Sequence, residues 1–104
     1  MSKTNSSFGL KTEAIDQIHN VFQRYPEVQK VVIYGSRAKG NFKPGSDIDL
    51  CLQGSDLHLS LFSKISEELD DLFLPYTFDL SIFHEVSNPD FLDHIKRVGA
   101  IFYP

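Results

Sequence analysis

Two carboxylates stand at i and i+2 in the stretch SDIDLCL, as Asp47 and Asp49, and Asp79 adds a third acid within FDLSI. On an extended strand alternate side chains share a face, so the Cα atoms of such a pair lie roughly 6 to 7 Å apart. Grouped carboxylates repel and raise one another's pKa unless water or a cation relieves them. An all-oxygen donor set of this kind favours Mg²⁺ or Mn²⁺ over zinc, and Mg²⁺ commonly keeps water and substrate phosphate in its octahedron. Taken alone, the pair fits the solvated face of a half-buried strand even better. The residues just upstream change the balance. In YGSRAKGNFKPGSDIDL, Gly35 would let backbone approach a ligand, Ser36 offers a hydroxyl, and the amides of a following helical turn would point at an anion. Together they suggest a magnesium-bound nucleoside triphosphate. Arg37 and Lys39 could neutralise triphosphate oxygens or equally sit in water; of the two, Arg37 is the expected nucleotide-binding residue, and Lys43 is expected in solvent.

These groups need a scaffold, and the chain has the periodicity for one. From Thr12, a plausible N-cap, Ile15, Ile18, Phe22 and Tyr25 recur at helical spacing until Pro26. Val28 to Tyr34 is a β-branched strand that stops at Gly35, and GNFKPGS supplies turn chemistry. In the next strand Ile48, Leu50 and Leu52 oppose Asp47, Asp49 and Cys51, so both aspartates face one way. Leu61, Phe62, Ile65, Leu69 and Leu72 form a helical stripe that ends by Pro75. A third strand, Tyr76 to Phe83, places Thr77, Asp79 and Ser81 on its polar face. Asn88-Pro89 opens a last helix with Phe91, Ile95 and Val98 on its apolar side, Gly99 closes it, and AIFYP is a candidate edge strand. The order α-β-β-α-β-α predicts an α/β (α+β) fold with a small mixed β-sheet and helices packed on its apolar face.

Composition bounds the rest. A chain of 104 residues, 41% hydrophobic, is expected to form one domain over 11–104 behind a loose, Ser- and Asn-rich arm over 1–10 that Phe8 and Leu10 could pin. A net charge of -4 argues against a general nucleic-acid-binding face, although three of the ten Lys and Arg fall between Arg37 and Lys43. The single Cys51, without a zinc-spaced Cys/His pattern, suits a reducing compartment. With no apolar N-terminal run and no stretch near the roughly 20 apolar residues that span a bilayer, a cytoplasmic location is expected. His19, His58, His84 and His94 are scattered, and Tyr34, Phe42, Phe78 and Phe83 could stack on a base but read first as core.

The string Gly35-Ser36, ten intervening residues, Asp47-x-Asp49, and Asp79 in a later strand closely resembles the polymerase-β-like nucleotidyltransferases, specifically the minimal nucleotidyltransferase antitoxins. The resemblance implies a fold of small mixed sheet and flanking helices, and transfer of a nucleoside monophosphate from a triphosphate to a hydroxyl. It implies that Gly35 and Ser36 hold the β and γ phosphates and that Asp47 and Asp49 ligate two Mg²⁺ ions, with Mn²⁺ a substitute. Asp79 would complete one metal site and take the proton of the attacking hydroxyl. Larger relatives carry a further helical domain for base and acceptor, so the acceptor site is expected from elsewhere. The antitoxin branch implies a separately encoded helical HEPN toxin, one tyrosine of which receives AMP from ATP in a type VII toxin-antitoxin pair. Two alternatives remain open: a nucleotide-binding module that neutralises its partner by complex formation alone, and a small-molecule (aminoglycoside-like) nucleotidyltransferase.

Overall fold

The computed structural model describes residues 7–104. The expected arm over 1–10 therefore lies mostly outside the described residues, but Leu10 is fully buried in the core. The elements are α1 (Thr12–Gln23), β1 (Lys30–Tyr34), α2 (Gly35–Lys39), β2 (Ile48–Gln53), α3 (Leu59–Asp70), β3 (Phe78–Ile82), α4 (Pro89–Val98) and β4 (Ala100–Tyr103). Helix α1 begins one residue away from the expected cap: Lys11 holds the extended cap conformation without a side-chain bond, and Thr12 is already helical. At α4 the expected cap is present, with Asn88 Oδ1 accepting from the amides of Asp90 (2.8 Å) and Phe91 (3.2 Å).

The strands form one mixed sheet in the order β3-β2-β1-β4. β1 runs antiparallel to both β2 and β4, whereas β2 and β3 are parallel and are joined through α3. A parallel pair needs such a crossover, which explains why a long amphipathic helix separates these two strands in sequence. AIFY pairs with β1, so the last strand completes the sheet on the side away from the aspartates.

Period-2 alternation divides the side chains between two faces. On one, Val31, Ile33, Ile48, Leu50, Leu52 and Ile82 pack under Ile18, Val21 and Phe22 of α1 and Ile65 and Leu69 of α3. On the other, Val32, Tyr34 and Cys51 meet Ile95 of α4, with Phe83 and Phe91 beside them. Placing every helix on the single apolar face thus requires correction: α4 covers part of the opposite face. The reason lies in β1, whose Val31, Val32, Ile33 and Tyr34 are all buried, so this central strand needs cover on both sides. The acidic face is consequently closed at its β1 end by α4 and left open toward β3.

Candidate active site

The register of the sheet sets the geometry of the acids. Asp49 pairs with Asp79 across the parallel β2–β3 ladder and with Tyr34 across the antiparallel β1–β2 ladder. Directly paired residues project to the same side of a sheet, so Tyr34, Asp49 and Asp79 form a row across three strands. Asp47 precedes β2 by one residue and shares the face of Asp49 by its i, i+2 spacing. Asp79 is exposed, Asp49 half-buried and Asp47 exposed, so the row grades from the α4-covered interior at Tyr34 to open solvent.

Electrostatics mark Asp49 as the strained member. Its pKa is pushed from 3.8 up to about 6, first by burial, then by the charges of Asp79 and Asp47, with Arg37 pulling weakly the other way. Burial, reinforced by Asp79 and Asp49, likewise pushes the Tyr34 hydroxyl up to about 12, keeping it protonated. Ser81 follows Asp79 on the same strand face, close enough to Tyr34 and Cys51 to oppose their upward shifts, although by geometry its buried hydroxyl has no hydrogen-bond partner among the described residues. The ion pairs found among the described residues, Arg24–Glu68 and Arg97–Asp93, leave all three aspartates without a cationic partner. Repulsion between unpaired carboxylates is what a divalent ion would relieve, and the donor set is all oxygen, so these residues fit Mg²⁺ or Mn²⁺. Among the described residues, no three acidic, His or Cys side chains already converge as a closed metal-binding group. Mg²⁺ sites that take much of their shell from water and phosphate do not need one.

The turn before the row is built against it. Gly35, at φ 74°, starts α2 directly after Tyr34, and a Cβ there would collide with the Asp49 carboxylate. Both the left-handed backbone and the contact with Asp49 demand glycine, a requirement set within the protein itself. Ser36 follows at the start of the turn, where backbone N–H groups lack intrahelical acceptors.

Arg37 does not face this opening. It is 2% exposed, its Nε and Nη2 donate to the Ser46 carbonyl (3.2 and 2.9 Å), Nη2 also to Pro44 (3.3 Å), and Nη1 to Phe8 (2.9 Å). The guanidinium carbon lies 5.2 Å from the Phe42 ring centre and 5.0 Å from that of Tyr76. The structure thus places Arg37, expected at the nucleotide, with its fork on backbone carbonyls, and Lys39 and Lys43 are the exposed cations of the string. Nothing in the linear pattern distinguishes an arginine aimed inward from one aimed at solvent, and Phe8, Gly9 and Tyr76 carry no signal of their own as its partners. Three of the four histidines have structural contacts: His19 Nε2 lies 2.7 Å from the Phe102 carbonyl, His58 Nδ1 accepts from the Leu61 amide at 3.3 Å, and His94 packs edge-on to Tyr34, while His84 is exposed. Cys51 is a buried free thiol whose pKa burial raises.

Glycine-led turn, open acidic row and mixed sheet coincide with a family assignment: the family model described as Polymerase beta, Nucleotidyltransferase matches residues 16–104. The chain belongs to this nucleotidyltransferase family. The nucleotidyltransferase is similar in fold to a chain in the crystal structure of a toxin-antitoxin with AMP-PNP, at TM-score 0.69 and 19% identity, covering 85% of this chain and 71% of that one. It also matches the toxin-antitoxin MntA-HepT at TM-score 0.65 and 16% identity, over 88% of this chain and 71% of that one. A complex of a tri-AMPylated Shewanella oneidensis HEPN toxin with an MNT antitoxin matches at TM-score 0.65 and 16% identity, over 88% of this chain and 70% of that one. At such identities the likeness is one of fold. A search of curated proteins by sequence finds no match.

Proposed function

We propose that this nucleotidyltransferase moves AMP from ATP to a tyrosine hydroxyl of a HEPN toxin and is the antitoxin of that pair. The observation that carries the reading is the cross-strand pairing of Asp49 with Asp79, with Asp47 on the same face and Gly35 packed directly against Asp49. Membership of the family supports the reaction type, and the fold likeness to MNT antitoxins crystallised with HEPN toxins, one of them AMPylated, supports the partner.

Each residue then has a task. Gly35 and Ser36 hold the β and γ phosphates through backbone amides and the hydroxyl, leaving the α-phosphorus toward the acidic row. Asp47, Asp49 and Asp79 hold the divalent ions, which when bound supply charge neutralisation for the triphosphate and for the departing pyrophosphate. The tyrosine oxygen forms its bond to the α-phosphorus as the bond from that phosphorus to the bridging oxygen breaks, and pyrophosphate leaves with the electron pair. Asp79, the exposed end of the row, takes the hydroxyl proton. No covalent enzyme intermediate is needed, so positioning and charge neutralisation are the protein's contribution. On the toxin, an added nucleotide brings a bulky anion to the RNA-binding surface and opposes RNA binding.

Mass spectrometry of the HEPN partner after incubation with this protein, ATP and Mg²⁺ tests the proposal. One or more added AMP units on tyrosine is the expected result. A partner that is bound tightly yet stays unmodified would replace transfer with neutralisation by complex formation.

A further inference from the structure

We propose that Arg37 is a positioning residue of the transfer reaction, clamping the loop between Ser36 and Asp47 so that phosphate turn and acidic row stay in register, with Gly9 as the other half of the device. The proposal rests on the reading of the site given above.

The loop of residues 40–46 joins the two parts of the site, and little within it can hold it still. Among the described residues its backbone is held by the Lys43–Ser46 turn, closed by Ser46 N to Lys43 O (3.0 Å) and Lys43 N to Ser46 Oγ (2.8 Å), and at its start by Gly40 N (2.9 Å) and Asn41 N (3.2 Å), both donating to Ser36 O. Asn41, Lys43, Pro44 and Gly45 are exposed, and Phe42, the half-buried apolar side chain of the loop, packs on the Arg37 guanidinium itself. The Arg37 fork supplies the anchor from below. It belongs to α2, two residues after Gly35, and grips the carbonyl of Ser46, the residue before Asp47. One planar group therefore spans both ends of the Gly-Ser to Asp-x-Asp string. The planar fork and the two flanking rings suit arginine and not lysine, which is a point charge on a flexible stem.

The clamp has a third jaw. Nη1 binds the Phe8 carbonyl, and the Phe8 ring lies 6.2 Å from that of Phe102 in β4. Gly9, at φ 73°, passes so close that a Cβ would run into the Phe42 ring and come within 3.0 Å of Arg37 Nη1. The segment before α1, far in sequence from any aspartate, thereby becomes part of the support for Asp47.

Arg37→Lys and Gly9→Ala, in the full chain, test the device from its two sides. Amide hydrogen exchange without metal or nucleotide should accelerate about tenfold or more across residues 41–47. The amides of β1 and α3 should keep their protection. In transfer to the HEPN partner, kcat should fall by about 100-fold in Arg37→Lys, with KM for ATP changing far less. Gly9→Ala should move both readouts in the same direction, although it alters no charge. Exchange that rises uniformly over the molecule, or a loss confined to KM for ATP with the loop still protected, overturns the proposal; the latter would return Arg37 to direct phosphate binding. If wild type transfers nothing, the assignment of AMP transfer fails, and the exchange of residues 41–47 still decides whether the clamp exists.

Discussion

Replacing Asp49 with Asn should make the metal-free protein more stable while removing its response to metal and ATP. Native Asp49 keeps its proton to about pH 6 against 3.8 for the ordinary group. At about 1.4 kcal/mol per pH unit the ionised native carboxylate costs at most about 3 kcal/mol. Solvent screening of a partly exposed group lowers this to about 1 to 2 kcal/mol. The direction follows from proton binding: between the two pKa values the folded state holds more protons than the unfolded, so the group's contribution is full below 3.8 and is lost as pH rises through about 6. Thermal unfolding in EDTA at pH 7.5 should therefore place Asp49→Asn about 5 to 10 °C above wild type. That gap should close as pH falls from 6 toward 4, where wild type recovers what the amide gains at neutral pH. Saturating Mg²⁺ and ATP should reverse the order, because a ligand at 100 times its Kd adds about 2.7 kcal/mol to wild type and little to the variant. Equal melting in EDTA at pH 7.5, or a gap that ignores pH, would refute the electrostatic argument. A variant that still responds fully to Mg²⁺ and ATP would refute the metal assignment.

Asp79→Asn and Asp47→Asn should each abolish AMP transfer with circular dichroism unchanged, and undiminished turnover in either removes that residue from the mechanism. Gly35→Ala combines a left-handed backbone with collision against Asp49 and should cost about 1 to 3 kcal/mol, read by urea unfolding, together with loss of the ATP-dependent rise in Tm. Asn88→Ala removes the acceptor of two helix-start amides and should cost about 1 kcal/mol while leaving the response to Mg²⁺ and ATP intact. Phe22→Ala, emptying a fully buried site under the sheet, should cost about 3 to 5 kcal/mol.

The chemistry of the molecule was written in local patterns. Alternation around Ile48, Leu50 and Leu52 fixes the shared face of Asp47 and Asp49, because side-chain direction on a strand depends only on parity. The Pro26, Pro75 and Asn88-Pro89 breaks delimit the helices, because they act through backbone geometry within a few residues. The family pattern, likewise a matter of types and spacing, lay open in the string from Gly35 to Asp49 and in Asp79. What tertiary structure decided is everything that depends on which segments become neighbours. Whether Asp79 stands beside Asp49 rests on the β2–β3 register, which the α3 crossover and the opposite-face core select jointly. The cover of the acidic face by α4 follows from β1 being central, a property of strand order that its continuous apolar run suits but does not fix. Arg37 carries the same lesson: its type promises a cation for phosphate, but carbonyls from residues 8, 44 and 46 converge on it only after folding. A charge can be turned inward when long-range contacts replace its water, and no local pattern encodes that.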